Sequence, residues 1–583
     1  MKMVEKLLFR LLPVQILLAA VGAVNGVVSS FFATNYVGVD AMAAVGLYSP
    51  VGMLATSLST ILVGGSAILC GKYIGRNEQQ KMQNVFSLNL VLSLLIAVFF
   101  ITAFLLLSLF DLTGFLTWDG EIRRFLNKYL LGQAIGMVPL MLGNSFAAFL
   151  SIENRGRRTL IASISYILVN ILLNYLFVEV LKLEAFGLAL ASSLGLWVFL
   201  LVQAEAFLEK KSHFRLFSGK IVFRETWAIL SIGLPGALVT LYQTLRGLIV
   251  NYLLEAFQGS AAISAFAAVN NLLGFGWAIP AGMLAVSRMM ISVSTGEEDR
   301  QTLTDVMRVM FRRFVPFMAV LILPVILLAA PLAAIFFKDP AEPVFQMAAW
   351  GFRILPLAMP LAIICMHFTC YGQTSGKTLL VHLTGFLDGA FFVSAFSALL
   401  VPSLGINGVY IANVLNGLAV LSVFLLYAWI KNRHLPRNME ELMVIPKNFG
   451  VPKEDRMDLT VQSIEEVVQI SRRVQEFCLE RGIPEKEAMF AALFMEEMAG
   501  NVVDHGFTKD RKKHTVDIRV SHKGEDVILR IRDDCVPFDP GERQKIADPD
   551  DPVKNVGIRM VFRMAKEVEY QNILGLNVLT IRI

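Results

Sequence analysis

A charged helical segment near the end of the chain holds two residues whose types and spacing suit phosphate chemistry. In FMEEMAGNVVDHGF, Glu497 and Asn501 are four positions apart and therefore share one face of a helix. A carboxylate can orient a water molecule or a hydroxyl group, and an amide oxygen suits the Mg²⁺ ion that accompanies nucleotide phosphates. Polar pairs at this spacing are also common on solvated helix faces, so the pair alone is a weak indication of a nucleotide site.

The surrounding tail reads as a separate α/β domain. KNRHLPRNMEELMVIPKNFGVPKEDRMD is polar and interrupted by prolines, which predicts a linker over 432–457 and a domain over 458–583. HTVDIRVSH and DVILRIRDD alternate like the strands of a hairpin, and two segments before them have helical periodicity. We expect helices packed on one face of a mixed or antiparallel sheet.

The rest of the chain has the composition of a membrane protein. The 583 residues are 55% hydrophobic and only 17% charged, with a mean hydropathy of +0.61, whereas soluble proteins carry about 25% charged residues. About twelve apolar stretches have the length of roughly 20 residues that a transmembrane helix needs. The predicted spans begin near Leu11, Leu47, Val85, Phe125, Leu160, Ala185, Trp227, Ala261, Phe314, Phe345, Leu379 and Gly405.

Basic residues predict the orientation of these spans. One alternating set of short loops is much richer in Lys and Arg, and by the positive-inside rule it is cytoplasmic. With an even number of spans, both termini and the tail are then expected in the cytoplasm. The net charge of +5 is modest and is explained by such loops, so no nucleic-acid partner is expected. The basic set includes Lys72, Arg76, Lys81, Arg155, Arg157, Arg158, Arg300, Arg308, Arg312 and Arg313.

The membrane part contains an internal repeat. VGVDAMAAVG leads to YIGRNEQQK in the first half, and QGSAAISAFAAV leads to STGEEDRQ in the second. The glycine pairs Gly38 to Gly75 and Gly259 to Gly296 are each separated by 37 positions, and the two copies are offset by 221. We interpret this as two six-helix lobes, 1–218 and 219–431, in the parallel-repeat design of many secondary transporters. A central cleft between the lobes is the expected substrate site.

Several spaced motifs resemble those of the multidrug and toxin extrusion (MATE) transporters. They are VGVDAMAAVGLYSP, VGGSAILCGKYIGRNE, ENRGRRT, VNILLNYLF and FGLALASS, within residues 10 to 430. The resemblance implies alternating access and export of organic, often cationic, compounds, driven by inward flow of H⁺ or Na⁺. Many relatives carry an acidic residue in the first helix, five positions before the glycine that matches Gly38, where this chain has Ala33.

Polar residues within the spans are the remaining transport candidates, because an ionisable group in hydrocarbon costs at least about 2.5–3.5 kcal/mol and usually faces a cavity or a partner. Asp388, in the middle of its span, is the first choice for binding a coupling ion or a cationic substrate, and a structural pair with a neighbouring helix is the alternative. Glu255 is expected near an outer, interfacial end. Asn170 and Asn174 share a helix face and either coordinate a ligand or join helices by hydrogen bonds.

The tail resembles the GHKL ATP-binding fold, and EEMAGNVVDHGF with PFDP is most similar to the anti-sigma-factor serine kinases. The resemblance implies that Glu497 is the catalytic base, Asn501 the Mg²⁺ ligand and Asp533 the acceptor for the adenine amino group. Residues 539–557 would form the lid over ATP, with Gly557 opening the helix whose amides receive phosphate. The chain departs from the family at two places, the glycine replaced by Cys535 and the glycine pair replaced by Lys554-Asn555, although Lys554 would bring a charge to the phosphates.

Two classes of function follow from the combination. The first is a cation-coupled exporter of small organic substrates in a bacterial inner membrane, regulated by a cytoplasmic ATP-binding domain. The second is a membrane-anchored serine kinase or partner-switch protein that uses the bundle as a sensor, with a cytoplasmic partner resembling an anti-sigma-factor antagonist. A lipid-type flippase is a rival within the transport class. Whether the ATP site turns over, only binds, or survives as a protein-binding module stays open at this level.

Overall fold

A computed structural model describes most of the chain. It covers residues 2–32, 39–76, 78–115, 120–153, 155–209, 214–215, 222–337, 339–508, 514–544, 556–573 and 575–583.

The first 432 residues form a helical bundle in two halves. Most of these helices carry apolar residues on all of their faces, as expected where lipid replaces water as the solvent. Short π-helical turns follow α5 (Tyr175–Val180), α10 (Met310–Phe314) and α15 (Leu387–Phe391). The first half holds α1 Lys2–Phe32, α2 Val39–Gly75, α3 Gln79–Leu109, α4 Gly120–Ile152, α5 Gly156–Asn174 and α6 Glu184–Leu208. The second half holds α7 Thr226–Gln258, α8 Ser260–Gly276, α9 Ala278–Gly296, α10 Arg300–Val309, α11 Val315–Leu327, α12 Ala329–Ala334, α13 Pro343–Ile354, α14 Ala358–Thr374, α15 Thr378–Phe386, α16 Phe392–Leu404 and α17 Ile406–Asn432.

Eleven helical segments in the described part of the chain are long and apolar enough to cross a membrane. They coincide with the second to twelfth spans expected from the sequence, and several combine two consecutive helices, such as Arg300–Leu327. The first expected span, from near Leu11, lies within the long helix α1 and is not among these eleven.

Glycines on α2 and α9 bring the two halves into backbone contact. A Cβ added to Gly71 would lie 2.5 Å from the Cβ of Ser292, and one added to Gly75 would overlap the carbonyl of Val293. Gly296 in turn packs against the backbone of Lys72. Both pairs, Gly71 with Ser292 and Gly75 with Gly296, join positions that are equivalent under the 221-residue repeat. The halves therefore meet about a shared axis at this end of the bundle, which we call the domain side.

The C-terminal region folds as a helix-covered sheet. Its strands are β1 Arg456–Val461, β2 Val516–Lys523, β3 Asp526–Asp533, β4 Glu567–Ile573 and β5 Leu576–Arg582, in the fully antiparallel order β1-β2-β3-β5-β4. Its helices are α18 Met439–Met443, in the segment before the sheet, and then α19 Ile464–Glu480, α20 Glu485–Asn501, α21 Pro540–Gln544 and α22 Val556–Met564.

The two faces of this sheet differ in chemistry because side chains alternate along a strand. One face supplies Ile518, Leu529 and Ile531 to a core shared with α19 and α20. The other face presents Arg519, Arg530 and Arg532, and the register places Arg519 directly opposite Arg530. Like charges in such cross-strand positions repel, so this face requires acidic neighbours.

The contact between the halves can be tested with two substitutions in one helix. Gly75→Ala would force a methyl group into the backbone of α9, and such overpacking costs about 1–3 kcal/mol. Gly64→Ala, also in α2, adds a methyl group where no atom lies within 4 Å. We expect thermal unfolding of the purified protein to shift several degrees lower for Gly75→Ala only, and equal melting temperatures would contradict the contact.

Candidate functional site

The carboxylate and amide predicted to act on a nucleotide lie together at the end of α20. Asn501 Nδ2 donates to Glu497 Oε1 at 2.9 Å and to the Glu497 carbonyl oxygen at 2.7 Å, and both side chains are half-buried. A π-helical turn, Val502–Gly506, follows directly. Because Nδ2 is the atom that faces Glu497, Oδ1 of Asn501 is the atom left to ligate a cation.

The third predicted element, Gly557, lies against the same carboxylate. A Cβ placed on Gly557 would overlap the carboxyl group of Glu497, so only glycine allows the start of α22 to approach this closely. The fold thus brings Glu497, Asn501 and the N-terminal end of α22 together from segments far apart in sequence. Lys554 and residues 545–555 of the predicted lid lie outside the described residues.

Asp533 ends β3 and is nearly inaccessible to solvent, with 5% of the residue exposed. Its Oδ1 accepts hydrogen bonds from Asn577 Nδ2 at 2.7 Å and from the Cys535 backbone N–H at 3.0 Å. Burial raises the pKa of Asp533, and the bonds from Asn577 and Cys535 oppose that rise. One oxygen is therefore held in place, as a carboxylate that recognises a purine amino group requires.

Asn577 was not singled out in the sequence, although it belongs to this group. It stands opposite Asp533 in the register of β5 with β3 and also accepts a hydrogen bond from the Tyr570 hydroxyl at 2.7 Å. The pattern of NVLTIRI predicts a strand but leaves the pairing partner unknown, so only the sheet register reveals the contact.

The residue after Asp533 connects this site to the membrane bundle. Asp534 accepts a hydrogen bond from His514 Nδ1 at 3.0 Å and forms an ion pair with Lys6, near the start of α1. Burial alone would raise the pKa of Asp534, but Lys6 and His514 outweigh it and lower the pKa. The first helix of the bundle therefore touches the loop that begins directly after the expected adenine acceptor.

The principal link between bundle and sheet is an ionic cluster, which we call the docking cluster and define as Glu297 and Asp299 with Arg519, Arg530 and Arg532. Glu297 Oε2 lies 3.2 Å from Arg530 Nη1 and 3.0 Å from Arg532 Nη2. Asp299 pairs with Arg519 and lies 3.7 Å from Arg532. The side chains of Glu297 and Asp299 are only 5% and 1% exposed, so these are buried rather than surface ion pairs.

Asp299 is bound on two sides. It caps α10 by accepting the Thr302 backbone N–H at 2.9 Å, which fixes the direction of that helix. Burial would raise the pKa of Asp299, but the charges of Arg519, Arg532 and Arg530 prevail and hold it well below its usual range. A carboxyl group with a depressed pKa loses its contribution to folding stability only as the pH falls through that pKa, so Asp299 stays ionised at physiological pH.

The docking cluster was not predicted, although part of its signal is present in the sequence. The alternation of HTVDIRVSH and DVILRIRDD places the three arginines on the face that does not contribute to the core. The acidic residues of the cluster belong to STGEEDRQ, a segment that the sequence already marks as part of the internal repeat. Their pairing, over more than two hundred residues of sequence, is visible only in the structure.

In the membrane half, Asp388 lies in the π-helical turn after α15 and is half-buried. Asn416 on α17 donates to Asp388 Oδ1 at 2.7 Å, and Arg246 on α7 interacts with the same carboxylate. A Cβ on the next residue, Gly389, would lie 2.6 Å from the Cβ of Tyr242, which shows how closely α7 packs here. Asp388 thus has partners on both neighbouring helices.

The other predicted transport residues do not join Asp388. Glu255 is exposed near the end of α7. Asn170 and Asn174 are both buried on α5, and Asn174 donates to the carbonyl oxygen of Asn170 at 2.9 Å. Ala33 lies outside the described residues.

Two cavities lie between the halves. A cavity of about 370 Å³ is lined by residues of α2 and α7, including Tyr48, Thr56 and Thr240. A second cavity of about 480 Å³ extends toward the domain side, and Thr60 belongs to the walls of both. Gly71 and Ser292, which join α2 to α9, line the second cavity at that end.

Comparison with known proteins gives two family matches. The MatE family matches residues 18–176 and 235–387, which together exceed half of the chain. The histidine kinase-like ATPase domain matches residues 460–583. A probable multidrug resistance protein NorM from Halalkalibacterium halodurans is 23% identical over 252 residues, covering 41% of this chain and 54% of that protein. The alignment thus spans about half the length of that relative.

Solved structures show the same fold. An outward-facing conformation of a multidrug resistance MATE family transporter of the MOP superfamily has a TM-score of 0.68 at 20% identity, covering 75% of this chain and 96% of its own. A MOP superfamily transporter from Pyrococcus furiosus, whose binding pocket is described as having reverse polarity, has a TM-score of 0.66 at 20% identity with the same coverage. These findings confirm the fold expected from the sequence, and the chain belongs to the MatE family of membrane transporters, with a histidine kinase-like ATPase domain at its C-terminal end.

Proposed function

We propose that this protein exports small organic compounds by ion-coupled alternating access and that its C-terminal domain regulates export in response to ATP. The docking cluster is the observation that carries the regulatory part. It joins the sheet of the nucleotide-binding domain to the loop that directly follows α9, the helix that closes the two halves on the domain side.

The path from the sheet to the closure is short. Glu297 is the residue after Gly296, and its backbone nitrogen would lie 2.5 Å from a Cβ on Gly75. The same residue therefore forms ion pairs with Arg530 and Arg532 and packs against α2. Any movement of the sheet relative to the bundle displaces the contact between α2 and α9, which is a discrete packed contact rather than a flexible tether.

Nucleotide binding supplies a reason for the sheet to move. The expected adenine acceptor, Asp533, is the residue after Arg532 on β3, and its neighbour Asp534 is ion-paired with Lys6. Mg·ATP bound between Asp533, Asn501 and the start of α22 would bring the phosphates beside Glu497, which is the catalytic base if the site turns over. ATP would then alter contacts at α1 and at the α9–α10 loop together.

Ion coupling is assigned to Asp388. Its carboxylate, fixed by Asn416 and close to Arg246, is the acidic group within the described spans that has polar partners on two other helices. H⁺ or Na⁺ binding there would neutralise the charge that Arg246 attracts and so alter the packing of α7 against α15. The family resemblance implies organic, often cationic, substrates. Glu255 has the role of an interfacial residue, and Asn170 and Asn174, joined by a hydrogen bond within α5, have the role of buried structural residues.

Orientation follows from charge. The basic loops, the docking cluster and the C-terminal domain all lie on the domain side, so by the positive-inside rule this side is cytoplasmic. We propose a bacterial inner membrane as the location, with both termini in the cytoplasm, where ATP reaches the domain.

Nucleotide recognition is tested by Asp533→Asn. The substitution replaces one carboxylate oxygen of Asp533 by an amide NH₂ group, which cannot accept a hydrogen bond. At least one donor then loses its acceptor, and Mg·ATP affinity should fall about tenfold or more. Asp526→Asn, at the half-buried start of the same strand and away from the site, is the control. Calorimetric titration of the full-length protein measures both, and equal affinities would remove Asp533 from the site.

Communication between the domains is tested by Asp299→Asn. Neutralising this carboxylate leaves Arg519 without its buried partner, which costs roughly 3 kcal/mol. We expect ATP-dependent changes in efflux from proteoliposomes to disappear while Mg·ATP affinity is retained. Asp111→Asn, an exposed partner of Arg123 outside the cluster, should leave the ATP response intact. An unchanged response in the Asp299 variant would show that the signal takes another route.

The coupling role is tested by Asp388→Asn. Efflux driven by an imposed H⁺ or Na⁺ gradient should fall at least about tenfold, because the neutral amide cannot exchange a charge with the ion. Glu179→Gln, which alters an exposed pair with Lys182, is the matched control and should transport normally. Gradient-driven efflux equal to that of the control would exclude Asp388 as the coupling site.

A further inference from the structure

The larger cavity between the halves has a mainly apolar wall in which the charge of the described residues is positive. Residues from α1, α2, α4, α5, α6 and α9 enclose it, so both halves of the repeat contribute. Within the described lining, Arg288 is the single charged residue, and the described lining of the smaller cavity has none. The other polar side chains that matter here are hydroxyl and amide groups, namely Gln15, Ser59, Asn144, Thr159 and Ser163.

Arg288 lies in the spanning helix α9 without a carboxylate partner among the described residues. Its guanidinium reaches the thiol of Cys370, which is a neutral group and leaves the positive charge uncompensated. The Nε atom is buried and has no hydrogen-bond partner in the described part of the protein. An uncompensated cation in a spanning segment is costly, and such a group faces a cavity or an ion that completes it.

Thr159 presents a second unused donor on the opposite half. The residue is 2% exposed, and its hydroxyl has no hydrogen-bond partner among the described residues although it lines the cavity. Most buried polar side-chain atoms in folded proteins are satisfied, so two unsatisfied donors on residues that line one cavity favour a ligand that brings an acceptor. A guanidinium and a hydroxyl together suit the oxygens of a carboxylate or phosphate.

The first helix carries no acidic residue in this region. Residues 11–32 contain no charged side chain, and Ala33 replaces the acidic residue of many relatives. Asp388, the proposed coupling site, does not line either cavity among the residues described.

We propose that the cavity around Arg288 and Thr159 binds the acidic group of an organic anion, a carboxylate or a phosphate, so that the exported compounds are anions rather than the cations that the family resemblance implies. The cavity volume of about 480 Å³ is in the range of sites for small organic ligands. The transport part of this inference rests on the proposed export function, but the binding part does not.

The test is binding of carboxyfluorescein to the full-length protein in nanodiscs, followed by fluorescence anisotropy, with ethidium as a cationic dye. Arg288→Gln should weaken carboxyfluorescein binding at least about tenfold, because a charge-assisted hydrogen bond is lost. Ethidium should bind this variant at least as well as the wild type, since a repelling charge has been removed. Thr159→Val replaces the hydroxyl group by a methyl group of nearly equal shape and should weaken anion binding about threefold. It tests the same site independently if the arginine variant fails to fold.

Arg288→Lys keeps the charge and should bind the anion more tightly than Arg288→Gln. Arg353→Gln is the matched control, because Arg353 is exposed and stacks on Trp350 outside the cavity. Competition by phenyl phosphate would identify a free organic anion as ligand, and competition by a short-chain phosphatidylglycerol alone would identify a lipid head group.

Failure of carboxyfluorescein, phenyl phosphate and phosphatidylglycerol to bind would overturn the inference, as would anion binding that is the same in Arg288→Gln and the wild type. Tight ethidium binding that is unaffected by Arg288 in the absence of anion binding would also overturn it and restore the cationic expectation. Anion binding that depends on Arg288, without efflux from proteoliposomes, would support the site and count against the export function.

Discussion

The structure depends on two buried acids, Glu297 and Asp299, that neutralise three arginines of a sheet. Without them Arg519 and Arg530 would oppose each other directly across β2 and β3, and the sheet would present a repulsive surface to water. Without the arginines, the acids would be buried charges at the end of α9. Between them, Glu298 adopts a left-handed backbone conformation with φ of 53°, which side chains larger than glycine rarely adopt. The ion pairs of Glu297 and Asp299, on either side of Glu298, hold this strained turn in place. The turn and the ion pairs therefore stabilise each other.

Much of the architecture follows from the sequence because it is dictated locally. The hydropathy of single segments predicts the spans, and the alternation of polar and apolar residues predicts the hairpin of β2 and β3. The group formed by Glu497 and Asn501 was also predictable, because four residues of helix bring the two side chains together. What the sequence could not supply are contacts between distant segments. The pairing of Asp533 with Asn577 depends on the register of β5, and the docking cluster depends on where a sheet lies against a loop more than two hundred residues earlier.

Two glycine positions of the ATPase domain, one replaced by Cys535 and one retained as Gly557, acquire a structural context. At Cys535 the backbone N–H is used to hold the Asp533 carboxylate, a function that any residue can perform, so the loss of glycine there leaves the acceptor in place. At Gly557 the situation is reversed, because the neighbouring carboxylate leaves no room for a side chain. The glycine that is retained is therefore the one whose substitution the packing does not tolerate.

The two halves of the repeat offer different loops to the C-terminal domain. Under the 221-residue offset, Glu297 corresponds to Arg76 and Asp299 corresponds to Glu78, so the loop after α2 begins with the opposite charge. An arginine-rich sheet is attracted to the loop after α9 and repelled at the first position of its twin. The pseudo-symmetry that relates Gly75 to Gly296 is thus broken one residue later, and the charges of the two loops favour docking of the arginine-rich sheet at the loop after α9.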